Sequence, residues 1–145
     1  MQRRDILNWG LAASATVIVR PAMADAAELQ AAISAYTQGA PVKAGKVKFD
    51  VSPLVENGNT VPITVTVDSP MTAADHVTAI AVFNESNPQR DVARFQLTPR
   101  AGRAMVATRI RLATSQNLVA VARLSDGSFW SHTVNVLVTL AACIE

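Results

Sequence analysis

Cys143 is the single cysteine in a chain of 145 residues, and only Ile144 and Glu145 follow it. A thiol acts as a nucleophile or metal ligand only when it is reachable and can ionise. The apolar, β-prone run Val138-Thr139-Leu140-Ala141-Ala142 leads into it. With almost no chain left to enclose it, the sulfur is expected to stand in solvent, held out by a rigid body. The alternative is that Cys143 is the last core residue of a final strand, because free cysteine often behaves as a small buried hydrophobe. One cysteine makes no internal disulfide. In an oxidising compartment the thiol must therefore be buried, paired with another molecule, or reactive.

Other chemistry is sparse. His76 and His132 are far apart in the chain, and neither has a partner at metal-ligand spacing, so no metal site is expected. A Cys143–His132 nucleophile pair is conceivable in space. Covalent catalysis, however, needs positioning within fractions of an ångström, which a residue so near the chain end lacks. No Gly-x-Ser-x-Gly elbow, phosphate loop or dinucleotide fingerprint occurs, and no cofactor is implied. Trp130 and the pair Arg109/Arg111 read as a packed strand residue and a solvated face rather than a nucleic-acid surface.

The elements that would hold the thiol begin after a leader. Residues 1–24 combine a charged start with Arg3 and Arg4, an apolar run from Ile6 to Val19, and the small-x-small ending Ala22-Met23-Ala24. These are the three parts of an export signal, and the adjacent arginines resemble a twin-arginine type. Cleavage after Ala24 leaves ten basic and ten acidic residues. The mature chain then has no global positive field to recruit nucleic acid.

Residues 25–43 are expected to form a short helical segment. Leu29, Ile33 and Tyr36 recur at helical spacing, and Gly39 and Pro41 stop the run. From residue 44 the apolar period becomes two. Strands are expected at 47–51, 61–67, 77–83, 92–97, 104–112, 118–124 and 129–140. Asn57-Gly58 supplies positive backbone φ at one turn, and Asp126-Gly127 closes a hairpin at another. Half the residues are hydrophobic but only 5% are aromatic, so valine, isoleucine, leucine and alanine must build the core. Seven short strands separated by turn signals predict an all-β, immunoglobulin-like antiparallel sandwich over residues 44–140, with a tail at 141–145.

Several stretches, taken in order, resemble one family. They are Glu56-Asn57-Gly58 with Val61-Pro62, Asp68-Ser69-Pro70-Met71, Asn87-Pro88 and Thr108-Arg109-Ile110-Arg111-Leu112-Ala113. Then come Gln116, Ala120-Val121-Ala122, Ser125-Asp126-Gly127 and the lone C-terminal cysteine. Together they resemble SoxY, the sulfur-carrying subunit of the periplasmic thiosulfate-oxidation system. The resemblance implies a periplasmic, non-enzymatic carrier that pairs with a SoxZ-like sandwich subunit. It implies a haem cytochrome, a dimanganese hydrolase and in some organisms a sulfur dehydrogenase as further partners. It also implies that Cys143 bears thiosulfate and its oxidation products covalently. In that family the cysteine sits in a Gly-Gly-Cys-Gly-Gly tail. Here Ala141 and Ala142 precede it and Ile144 and Glu145 follow. Alanine narrows backbone freedom relative to glycine, and carboxylates beside the sulfur repel an anionic adduct. The alternative function is therefore a SoxY-like binding or scaffold module that has lost the carrier role.

Overall fold

The computed structural model describes residues 21–142. Arg3 and Arg4 of the leader, and Cys143, Ile144 and Glu145 of the tail, lie outside the described residues. One helix, α1 (Pro21–Thr37), precedes the strands β1 (Val42–Ala44), β2 (Val47–Asp50), β3 (Leu54–Val55), β4 (Val61–Val67) and β5 (Val77–Asn84). After them come β6 (Asp91–Gln96), β7 (Met105–Ile110), β8 (Gln116–Leu124) and β9 (Phe129–Val138).

The strands form two sheets, in the orders β2-β4-β7 and β1-β9-β8-β5-β6, with β3 also paired to β9. Alternation decides which side chains meet between them. In β4, Val61, Ile63, Val65 and Val67 turn inward, while Pro62, Thr64 and Thr66 turn away. Opposite them stand Ile80 and Val82 of β5 and Leu118, Ala120 and Ala122 of β8. This is the predicted sandwich, with a core built from aliphatic side chains.

The larger sheet is covered on its other face as well. Ala81, Phe83, Val119 and Val121 point outward and receive Leu29 and Ile33 of α1. Fully burying such a side chain contributes about 1.5–3 kcal/mol. Helices in proteins draw most of their stability from packing such an apolar face, so this contact holds α1 to the body. Tyr36 meets the edges of Phe83 and Phe129 at ring-centroid distances of 5.6 and 6.0 Å. At the other end Arg90 bonds Asp25 at 3.2 Å and donates to the Asn87 carbonyl, which ties α1 to the β5–β6 loop.

Three features differ from expectation. The helix reaches N-terminally past the expected start at residue 25, as far as Pro21, the first described residue. Two extra strands appear, and both are parallel to β9: β1 along its start and β3 along its end. Runs of three and two residues carry too little alternation to be read from sequence, and parallel pairing leaves no hairpin signal. Lastly, β9 ends at Val138 rather than at residue 140.

The seat of α1 has a pH signature. Burial pushes the Tyr36 phenol above its ordinary value, while Arg94 and Arg123 pull it back. A raised folded value means the neutral phenol belongs to the folded state. Its contribution is complete below about pH 10, the value of the unfolded chain, and is lost as pH rises through the folded value. Tyr36 is the only tyrosine, so the ultraviolet absorbance of tyrosinate reports it alone. The folded protein is expected to titrate at higher pH than the denatured chain. A midpoint equal to or below the denatured one contradicts this packing.

Candidate functional site

Beyond β9 the chain does not leave the body at once. Leu137 and Thr139 donate their amides to the carbonyls of Pro53 and Val55, at 2.9 and 3.0 Å. The Gly58 amide then donates to the Leu140 carbonyl at 2.8 Å, and the Ala142 amide donates to the Leu112 carbonyl at 3.1 Å. Leu112 in turn donates to the Gly58 carbonyl at 2.8 Å. Gly58, Leu112 and residues 140–142 are thus laced together at one end of the sandwich. Ala141 is exposed, but Ala142 is only 8% exposed. The hold of the body therefore reaches at least two residues past the expected boundary at 140.

Gly58 is required there for space. A β-carbon at that position meets the Leu112 carbonyl oxygen at 2.5 Å, the Ala142 nitrogen at 3.0 Å and a Val138 methyl at 3.1 Å. Its φ is not positive, and neither is that of Asn57, so the left-handed turn expected at Asn57-Gly58 does not form. Asn57 instead accepts the Asn59 amide on its side-chain oxygen at 3.0 Å.

A buried amide network aims the Leu112 carbonyl. Asn87 grips the backbone on both sides of it. Its Nδ2 donates to the Arg111 carbonyl at 2.7 Å, and its Oδ1 accepts from the Ala113 amide at 2.9 Å. That oxygen also accepts from Gln116 Nε2 at 2.8 Å, and Gln116 Oε1 accepts the Ser86 amide at 2.9 Å. Asn84 accepts the Asn87 amide at 3.1 Å and donates to the Gln89 carbonyl at 2.8 Å. All three side chains are buried. Leaving one such partner unsatisfied costs about 1–3 kcal/mol. Outside this laced end, Leu54 and Leu137 sit opposite each other across β3 and β9, and both are exposed together with Leu140.

The histidines do not join this site. His132 Nδ1 accepts the Phe49 amide at 2.9 Å, which bridges the two sheets and leaves the ring proton on Nε2. Val138 lies six residues beyond His132 on β9, about 20 Å at strand rise. Ala142 and Val138 both lie against Gly58, so the residue bonded to Cys143 is held well along β9 from this imidazole. His76 lies against the Thr72 carbonyl at 3.1 Å. Among the described residues no three His, Cys, Asp or Glu side chains are placed to hold a metal ion. Arg109 and Arg111 are exposed, and Trp130 is half-buried.

Sequence reasoning gave Gly58 a turn role rather than a packing one, noted Asn87 and Gln116 only as parts of the family resemblance, and gave Asn84 no role. A usable signal was present: Asn87-Pro88 and Gln116 are polar positions beside strands that otherwise read as apolar.

Residues 33–143 match the family described as sulfur oxidation protein SoxY, and the matched region ends on the cysteine. The chain belongs to the SoxY family. A solved SoxY, the sulfur carrier protein from Chlorobium limicola f thiosulfatophilum, is 31% identical with a TM-score of 0.66. That likeness covers 79% of this chain and 99% of the other. The superoxide reductase (neelaredoxin) from Ignicoccus hospitalis shares the fold, at 19% identity and a TM-score of 0.58, over 64% of this chain and 79% of the other. The superoxide reductase from Nanoarchaeum equitans does so at 12% and 0.56, over 66% and 100%. No curated protein matches the chain in sequence. Within the resembling motifs, Gly58, Asn87, Arg111, Leu112, Ala113 and Gln116 now have a physical reason. They are the parts that lace the end of β9 to the body.

Gly58→Ala tests the lacing. The added methyl overlaps backbone rather than a flexible side chain, so a loss of about 1–3 kcal/mol is expected in denaturant unfolding. Amide exchange at Leu112 and Ala142 should accelerate while β5 and β8 stay protected. Unchanged exchange at Ala142 contradicts the assignment.

Proposed function

We propose that this chain is a periplasmic sulfur carrier that holds thiosulfate-derived groups covalently on Cys143. The observation that carries the reading is the family match running to Cys143, together with a body that ends in a laced platform one residue before it. Support also comes from the sulfur carrier named in the solved relative.

The chemistry needs little from the carrier. Loading joins the Cys143 thiolate to the outer sulfur of thiosulfate, forms one S–S bond and releases two electrons, which a haem cytochrome partner accepts. Hydrolysis of the S–sulfonate bond by a dimanganese partner then adds water, releases sulfate and leaves a persulfide on Cys143. A sulfur dehydrogenase is a further partner in some systems. The carrier is not an enzyme in this reading. It presents one sulfur to several active sites in turn at high effective concentration.

The tail sets the character of the carrier. With Ala141 and Ala142 in place of glycines, the segment before the sulfur has narrower backbone freedom, and the Ala142 methyl is buried against the body. Ile144 and Glu145, a branched residue and a carboxylate, follow the sulfur directly in sequence. The exposed leucines Leu54, Leu137 and Leu140 form an apolar rim beside the tail that fits contact with a partner protein, including a SoxZ-like sandwich subunit. Residues 1–24 supply export, with Arg3 and Arg4 directing it to a twin-arginine route.

Mass spectrometry of the protein purified from thiosulfate-grown cells tests this directly. A thiosulfonate or added-sulfur mass on the Cys143 peptide is expected, and Cys143→Ser should abolish thiosulfate oxidation in those cells. An unmodified peptide, with oxidation unchanged in Cys143→Ser cells, favours the scaffold reading instead.

A further inference from the structure

The chain has three lysines, and all of them lie between residues 43 and 48. Gly45 at φ +121° and Lys46 at φ +56° turn the chain between β1 and β2. As a result Lys43 and Lys46 both stand over the Trp130 ring, at 5.5 and 4.9 Å from its centroid. Gly45 lies against the same ring, which a β-carbon there would approach at 3.5 Å. Lys46 and Lys48 also line a cleft of about 330 Å³ with Arg103. Asp68 is the one carboxylate in its lining. Among the described residues none of these four cations forms a salt bridge.

We propose that this end of the sandwich is a docking surface for an acidic face of a partner protein. The four cations are exposed. A small inorganic anion calls for enclosed, convergent donors, whereas a broad exposed patch complements another surface. A single aromatic ring does not make the stacking platform that single-stranded nucleic acid uses. Cation–π contact with Trp130 holds two lysines in place without neutralising them, which lowers the ordering cost of docking. Such patches chiefly steer encounter and set orientation. The position suits that role. Trp130 and Val138 are eight residues apart along β9, about 25 Å. A partner seated here leaves the laced end with Gly58 and Ala142 uncovered. The inference does not rest on the carrier reading and survives if Cys143 carries nothing.

The test uses poly-L-glutamate as the acidic probe with isotope-labelled protein. At low salt, amide shifts should concentrate at residues 43–48, 66–69 and 102–104 and at the Trp130 indole. Carbodiimide coupling should join the probe to Lys43, Lys46 or Lys48, which are uniquely assignable by mass. Affinity should fall at least roughly tenfold on going to about 0.15 M salt, where the screening length is about 8 Å. The double variant Lys43→Glu/Lys48→Glu and the single variant Arg103→Glu should each weaken binding, whereas Arg109→Glu, on the outward face of β7, should not. Four results overturn the proposal. They are no binding at low salt, equal shifts from sulfate or thiosulfate at matched charge, tighter binding of single-stranded DNA, or an equal loss in Arg109→Glu.

Discussion

The end of this molecule depends on one close approach of backbone to backbone. Gly58 sits where its own amide reaches Leu140 and its carbonyl receives Leu112, with the Ala142 nitrogen close by. Any β-carbon there would force the surrounding backbone to shift. Because of that approach, the segment leading to Cys143 is fastened to the loop that crosses from β3 to β4 instead of running free from the end of β9. The hydrogen bonds are individually modest, about 0.5–1.5 kcal/mol net. Their value lies in closure, since each of the three segments holds the other two.

Rigidity behind this closure comes from buried amides rather than from more apolar packing. Asn87 clasps the backbone at residues 111 and 113 and so fixes the carbonyl between them. Gln116 and Asn84 bond to Asn87 and tie in the loop backbone at Ser86 and Gln89. Such a network specifies one arrangement only when every member is paired. The same sandwich underlies superoxide reductases of low sequence identity, and fold alone does not carry function.

Much of the fold was legible. Valine and threonine alternation gave β4 its limits, Asp126-Gly127 marked the β8–β9 hairpin, and Leu29 and Ile33 gave α1 its buried face. Less was legible where pairing is short or crosses between distant segments. Nothing in Leu54-Val55 says that it runs parallel to β9. Asn57-Gly58 reads as a left-handed turn because that is the commonest use of the pair, but here the glycine answers a steric demand from Leu112 and Ala142, far along the chain. Cys143 stood out by being single. The platform that leads to it did not, because its members bond through backbone atoms that every residue has.

The account rests on Cys143 being reachable in the folded protein. The direct measurement is the rate at which a thiol reagent modifies Cys143 in native buffer compared with denaturant. Modification of the folded protein within roughly tenfold of the denatured rate agrees with a thiol presented to solvent. Modification that occurs only as the protein unfolds contradicts it.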